Sequence, residues 1–183
     1  MKLSFPKPYA DFVARLRVPC GFLLVAAFAW FSRPDPRSLL YGLPVSLIGL
    51  AVRAWAAGHL AKDRTLASSG PYAYTRNPLY LGTLLVAAGL AMASRSVGLG
   101  ALFAAVFLCI YLPVIQLEQQ HLRSLFPEYA AYAARVPALL PRMSPAADKP
   151  RAFQWTLYVK NREYQAAAGF LAGALFLLWK ALR

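Results

Sequence analysis

Apolar residues in this chain come in blocks, not in the alternating stripe of a strand or the one-sided stripe of a surface helix. Five apolar runs cover about 18–32, 38–61, 79–94, 97–117 and 165–180, and the gaps between them hold most of the prolines and charges. A helix needs roughly 20 apolar residues to cross a hydrocarbon layer of about 30 Å. The pattern therefore predicts an all-α polytopic membrane protein of about five transmembrane helices. Ahead of the first run, Tyr9, Phe12, Val13 and Leu16 share one helical face within residues 1–17, while Lys7, Arg15 and Arg17 lie off it. That arrangement predicts an N-terminal helix lying in the interface plane. Two prolines between Ser32 and Arg37 predict a tight turn, and Pro113 predicts a kink near the end of the fourth run. Residues 142–151 read as a loop, and 153–164 as a second interfacial helix feeding the last span. Residues 1–183 form one domain, without internal repeat or low-complexity segment.

Composition agrees with the pattern. Of 183 residues 59% are hydrophobic and only seven are acidic, with a mean hydropathy of +0.45. Such a chain belongs in a lipid bilayer. The net charge of +13 is not gathered into a stripe that nucleic acid would need; the cations sit between the apolar runs, where headgroups lie. Their distribution predicts orientation. Fourteen Lys and Arg fall in the N-terminal tail, the 62–76 loop and the 118–163 stretch, against five on the alternate side, with Arg53 left inside a span. The N-terminus and both polar stretches are thus expected in the cytoplasm, in a multi-pass protein of the cytoplasmic membrane if the chain is bacterial. The basic start followed by Ala27-Phe28-Ala29 resembles a secretory signal and is read as a retained first span. Cys20 and Cys109 lie in apolar runs without metal-ligand spacing, so no metal site is expected.

The candidate chemistry lies in those polar stretches. From Gly70 to Gly82 the chain packs two prolines, two glycines, three tyrosines and Arg76 between long apolar runs. Gly70-Pro71 ends what precedes it, and Asn77-Pro78 offers a cap and first-turn proline for a new helix. Arg76 stands just before that helix, beside an N-terminus that favours anions. An interfacial turn with an aromatic belt is the plain alternative. Glu118 is the carboxylate at the end of a span, either snorkelling to the interface or functional. Glu128, Tyr132 and Arg135 fall at i, i+4 and i+7, one face of a short helix, which serves a site or only solvent. Arg162 and Glu163 either reach that site or mark a boundary. His59 and His121 are the histidines at hand as bases, though both also read as structural. Gly169 and Gly173 make a small-xxx-small step that suits helix packing, within the chain or in a homodimer.

Together, Gly70-Pro71-Tyr72, Tyr74, Arg76-Asn77-Pro78, Tyr80 and Gly82, followed by Glu118, Leu122, Phe126, Glu128-Tyr129, Tyr132, Val136-Pro137 and Pro141, resemble the signature of the isoprenylcysteine carboxyl methyltransferases and their phospholipid-methylating relatives. The resemblance covers about residues 55–141. It implies an S-adenosylmethionine-dependent membrane enzyme with a cytosolic cofactor pocket and a lipophilic substrate that enters from the bilayer. By position, Lys62, Tyr74, Arg76, Asn77, Pro78, Tyr80, Leu81, Gly82, Glu118 and Leu122 would bind the cofactor. Glu128, Tyr132 and Arg135 would stand at the reacting group as catalytic residues. The chain departs from the family twice, with Asn77 where His is usual and Gln119 where a second Glu is usual. A nicotinamide-dependent reductase of the sterol-reductase type and a catalytically degenerate lipid-binding relative are the competing readings. The acceptor is open between an isoprenylcysteine-like carboxylate, a phospholipid and another small lipophilic group, and the scarcity of bases favours one already anionic.

Overall fold

The computed structural model describes residues 5–146 and 151–183. Residues 1–4 and 147–150, with Lys2 and Lys149 of the charge pattern and Pro150 of the expected loop, lie outside them. Among the described residues all regular structure is helical: α1 (Lys7–Phe31), α2 (Pro36–Ala57), a 3-10 turn (Gly70–Ala73), α3 (Pro78–Ser94), α4 (Val97–Val106), a π segment (Phe107–Tyr111), α5 (Leu112–Leu125), α6 (Tyr129–Arg135), α7 (Trp155–Lys160) and α8 (Tyr164–Ala181).

Among the described residues, fewer helices are long and apolar enough to cross a membrane than the apolar blocks predict. Two helical stretches are long and apolar enough to cross a membrane, Pro36–Ala57 and the continuous Val97–Leu125; the pair Lys7–Leu16 and Val18–Phe31 would make a third. That pair is bent by 51°, and Pro19, which cannot complete the helical ladder, stands at the bend. The interfacial helix and first span of the expectation are thus two arms of one bent helix. α3 has only 17 residues, about 25 Å at the usual rise, short of a full hydrocarbon layer. α8 is long enough at 18 residues but not apolar enough to count, because Tyr164, Gln165 and Lys180 fall within it.

α2 and α3 form the centre, and glycine lets them. Gly42 faces Gly89 and Gly49 faces Gly82 so closely that a Cβ on any of the four would strike backbone atoms of the opposite helix. Ser46, fully buried, donates to the carbonyl of Val86 at 2.9 Å, and Ser38 donates to that of Ala93 at 2.9 Å. The α2 start is fixed by a reciprocal cap, in which Asp35 accepts from the Ser38 amide while Ser38 Oγ receives the Asp35 amide. α8 closes one side, burying Leu177 against Leu39 and Ala93. Its Lys180 reaches the carbonyl of Ala29 at 2.9 Å, capping α1 with the charge sign that a helix C-terminus prefers.

At Pro113, where a kink was expected, the helix changes register. Pro113 has no N–H to offer the carbonyl of Cys109 four residues earlier, and the π segment ends at Tyr111, just before it. The Tyr9 hydroxyl donates to that carbonyl at 2.8 Å. One turn on, the Gln116 amide exchanges two hydrogen bonds with the backbone of Phe5, at 2.7 and 3.0 Å. The start of α1 is thereby tied to α5.

The glycine contacts differ sharply in what they tolerate. Gly89→Ala should destabilise the fold by about 1–3 kcal/mol, because helix backbones must separate. Gly169→Ala, where nothing lies within 4 Å, should be neutral or stabilising by up to about 1 kcal/mol through helix propensity. Thermal unfolding of the two variants in one detergent checks the contrast; equal losses would count against the close crossing.

Candidate functional site

The segment after α2 folds as its residues dictate. Gly70 takes φ +58°, which costs an ordinary side chain dearly, and starts the 3-10 turn that carries Tyr72 inward. Asn77 stands at the N-cap of α3 with Pro78 at the first helical position, as expected. Its side chain does not cap, however. The Asn77 amide donates to the carbonyl of Ala138 at 2.7 Å, and the Arg76 backbone donates to Pro137 at 2.9 Å. Thr75 Oγ1 adds a bond to Leu139 at 3.0 Å. These contacts strap the 137–139 segment across the loop, so Asn77 works here as an amide donor that never needs to titrate.

The two motif regions enclose one open cleft of about 750 Å³ between the loop, α3 and α5. Arg76, Asn77, Pro78 and Tyr80 line it from one side; Tyr111, Glu118 and Leu122 line it from the other, with Lys62 and Tyr132 also in its wall. Tyr80 donates to Glu118 Oε1 at 2.9 Å, and its ring meets that of Tyr111 edge to face at 6.1 Å. Behind them, Tyr129, Tyr132 and Val136 form a buried cluster that packs α6 against Leu66, Leu122 and Phe126. Tyr132 donates to the carbonyl of Tyr72 at 2.8 Å, and burial pushes the phenols of Tyr72 and Tyr132 well above their ordinary range. Both therefore stay neutral donors into strongly alkaline solution.

Among the described residues, two donors in this wall have no hydrogen-bond partner. Arg76 Nε and the hydroxyl of Tyr129, a residue only 1% exposed, are buried without hydrogen bonds. Burial raises the Tyr129 phenol, and the nearby Arg76 guanidinium pulls against that shift. Such groups are costly to leave unmade. They are the strongest sign that something polar belongs in the cleft.

Tyr74, Leu81, Gly82, Glu128 and Arg135 do not line the cleft. Gly82 is used in the α2–α3 crossing, and Glu128 and Arg135 are exposed while Tyr132 is buried. α6 begins only at Tyr129, so the face it turns inward is that of Tyr129 and Tyr132, not one shared by all three candidates. Sequence reasoning gave Arg53 no role and left Glu163 open between the site and a boundary. Glu163, at the start of α8, takes the Arg53 guanidinium in a two-pronged pair at 2.5 and 3.0 Å, and Arg53 also bonds Thr83 of α3. Arg53 and Thr83 line the cleft floor. The signal was present: Arg53 is a lone cation inside a span, a position that demands a partner. His121 lines the cleft and faces Asp63 at 3.3 Å, while both ring nitrogens of His59 face carbonyls, those of Trp55 and Arg151.

The chain resembles known proteins in sequence. The family model described as phospholipid methyltransferase matches residues 45–129. The chain is 35% identical over 152 residues to the cobalt-zinc-cadmium resistance protein CzcN of Cupriavidus metallidurans, covering 79% of this chain and 69% of that protein. It is 31% identical over 154 residues to the nickel-cobalt-cadmium resistance protein NccN of Alcaligenes xylosoxydans xylosoxydans, covering 78% of this chain and 72% of that one. No solved structure matches.

The cleft floor yields a stability prediction. Glu163→Ala strands a largely buried guanidinium and should cost about 3–5 kcal/mol, toward the lower end because Arg53 is 23% exposed. The double change Arg53→Met with Glu163→Leu should recover most of that loss. Denaturant unfolding of single and double variants decides; a double variant as unstable as the single would show that the stranded guanidinium is not the source of the loss.

Proposed function

The chain belongs to the phospholipid methyltransferase family, and from that premise we propose that it is a membrane methyltransferase that uses S-adenosylmethionine and methylates a lipophilic acceptor. The observation that carries the reading is the pair of orphaned donors, Arg76 Nε and the Tyr129 hydroxyl, in the cleft where Glu118 is held by Tyr80. A cleft of about 750 Å³ suits a ligand of this size; pockets for such ligands run roughly 300–1,000 Å³.

The residues fit the cofactor's charges. Arg76 and Tyr129 offer donors for a carboxylate, and Glu118 offers an acceptor for an ammonium, so the wall matches both ends of an amino-acid moiety. Tyr80 and Tyr111 bring aromatic rings to the cleft wall, and an aromatic ring is the contact a sulfonium seeks. When bound, the cofactor supplies an activated methyl group that a nucleophile takes in line with the departing thioether. The protein's share is to position and to exclude water. Tyr132 and Asn77 hold the wall in place, and Arg53 with Thr83 fixes the floor. For an acceptor that must lose a proton, His121, facing Asp63, is the histidine placed in the cleft wall; an anionic acceptor needs none. The relatives' names add a proposed setting, a metal-resistance system, without a reaction.

Calorimetric titration of the detergent-solubilised protein with S-adenosylhomocysteine tests the reading. We expect saturable binding that weakens at least about tenfold in Glu118→Gln. Tyr129→Phe should also weaken it while leaving the thermal midpoint unchanged or higher, because its hydroxyl has no partner in the free protein. No binding at millimolar concentration would overturn the proposal, and binding of NADPH in its place would favour a reductase.

A further inference from the structure

Leu60 and Lys62 of the cleft wall also line a second, smaller cavity of about 240 Å³, between the end of α2 and α7. Four cations converge on it from three places in the sequence: Lys62 and Arg64 after α2, Arg151 before α7, and Lys160 at its end. None of its twelve lining residues is acidic. Among the described residues none of these cations has an ion pair; the pairs present are Arg53–Glu163, Arg95–Asp35 and His121–Asp63. Arg151 makes only a long contact to Thr65 Oγ1, at 3.4 Å.

The cavity is built, not left over. The final carbonyls of α2 and its exit, which would repel an anion, are occupied: Asn161 Nδ2 donates to Ala57 and Leu60 at 2.9 Å each, and the Gln154 amide donates to Gly58 at 3.0 Å. Gly58 is needed because the Phe153 ring lies where its Cβ would be. Trp155, 71% exposed, stacks edge-on with Phe153 and Tyr158 at the same level, where α2 ends and α8 begins. Exposed aromatic rings at a helix end mark the headgroup depth of a bilayer. Unpaired cations gathered in a concavity repel one another and attract phosphate at that depth.

We propose that this cavity binds a phosphate-bearing anion, as a lipid headgroup or as free phosphate. The proposal does not rest on the methyltransferase reading. Native mass spectrometry of the detergent-solubilised protein, titrated with dihexanoylphosphatidylglycerol, dihexanoylphosphatidylcholine and inorganic phosphate, tests it. The expected result is uptake of the anionic lipid or of phosphate that falls at least about tenfold in the double variant Arg151→Gln with Lys160→Gln and is unchanged in Arg37→Gln, at the opposite end of α2. Uptake of the anionic lipid alone assigns the site to the membrane; uptake of inorganic phosphate as well assigns it to the phosphate group itself. Arg64→Gln serves as a second variant should the double one lose its wild-type thermal midpoint. Preference for the zwitterionic lipid, no uptake of either anion, or uptake unaltered by the substitutions would overturn the proposal.

Discussion

The cleft of this molecule is placed by the close approach of α2 and α3. Glycine at 42, 49, 82 and 89 removes the side chains that would hold the helices apart, and the buried hydroxyl of Ser46 ties one to the other's backbone. Lipid offers no hydrophobic drive for such pairing, so dense packing and interhelical hydrogen bonds must supply the stabilisation. The crossing brings Arg53 of α2 within reach of Thr83 and the Leu79 carbonyl of α3. It also aims the start of α3, with Arg76 and Asn77 before it, at the space in front of α5. A cleft at this position follows from where two pairs of glycines face each other.

Within the cleft the structure keeps some polar groups fully satisfied and leaves others open. Tyr132, Asn77 and Thr75 spend their hydrogen bonds on carbonyls of the enclosing loops, which makes the wall rigid. Arg76 Nε and the Tyr129 hydroxyl are left without partners in the same wall. A protein gains nothing from orphaned donors beside well-made bonds unless a ligand completes them. The division between satisfied and unsatisfied groups separates scaffold from binding surface more cleanly than burial does, since Tyr129 and Tyr132 are both buried.

Much of this was legible because it depends on local chemistry. Asn77-Pro78 starts a helix wherever it stands, Gly70 turns the chain, and the order of Arg76 and Glu118 along two neighbouring apolar runs already implied that they share one end of the molecule. What was not legible depends on partners far away in sequence. Glu163 reads as a boundary residue until α8 is packed, 110 positions from Arg53. Gly82 reads as part of a motif although its missing side chain serves the helix crossing. The side chain of Asn77 reads as a cap although Ala138 claims it. Span number failed for another reason. Hydropathy measures how apolar a run is, while crossing a bilayer also requires uninterrupted helical length, and α3 ends where Arg95 takes a left-handed conformation at its C-cap.

Pro113 shows how the far end of the chain enters the site. Its missing N–H leaves the Cys109 carbonyl without its helical donor, a defect that a straight helix in lipid could not absorb. The π segment just before it changes the register between α4 and α5, so the faces of the two halves need not coincide. After it, Tyr111, Glu118 and Leu122 fall at i, i+7 and i+11, one helical face, and that face lines the cleft. The donor that repairs the Cys109 carbonyl is Tyr9 of α1, and Gln116, two residues before Glu118, clasps the backbone of Phe5. The orientation of the Glu118 carboxylate therefore depends on where the N-terminal helix rests.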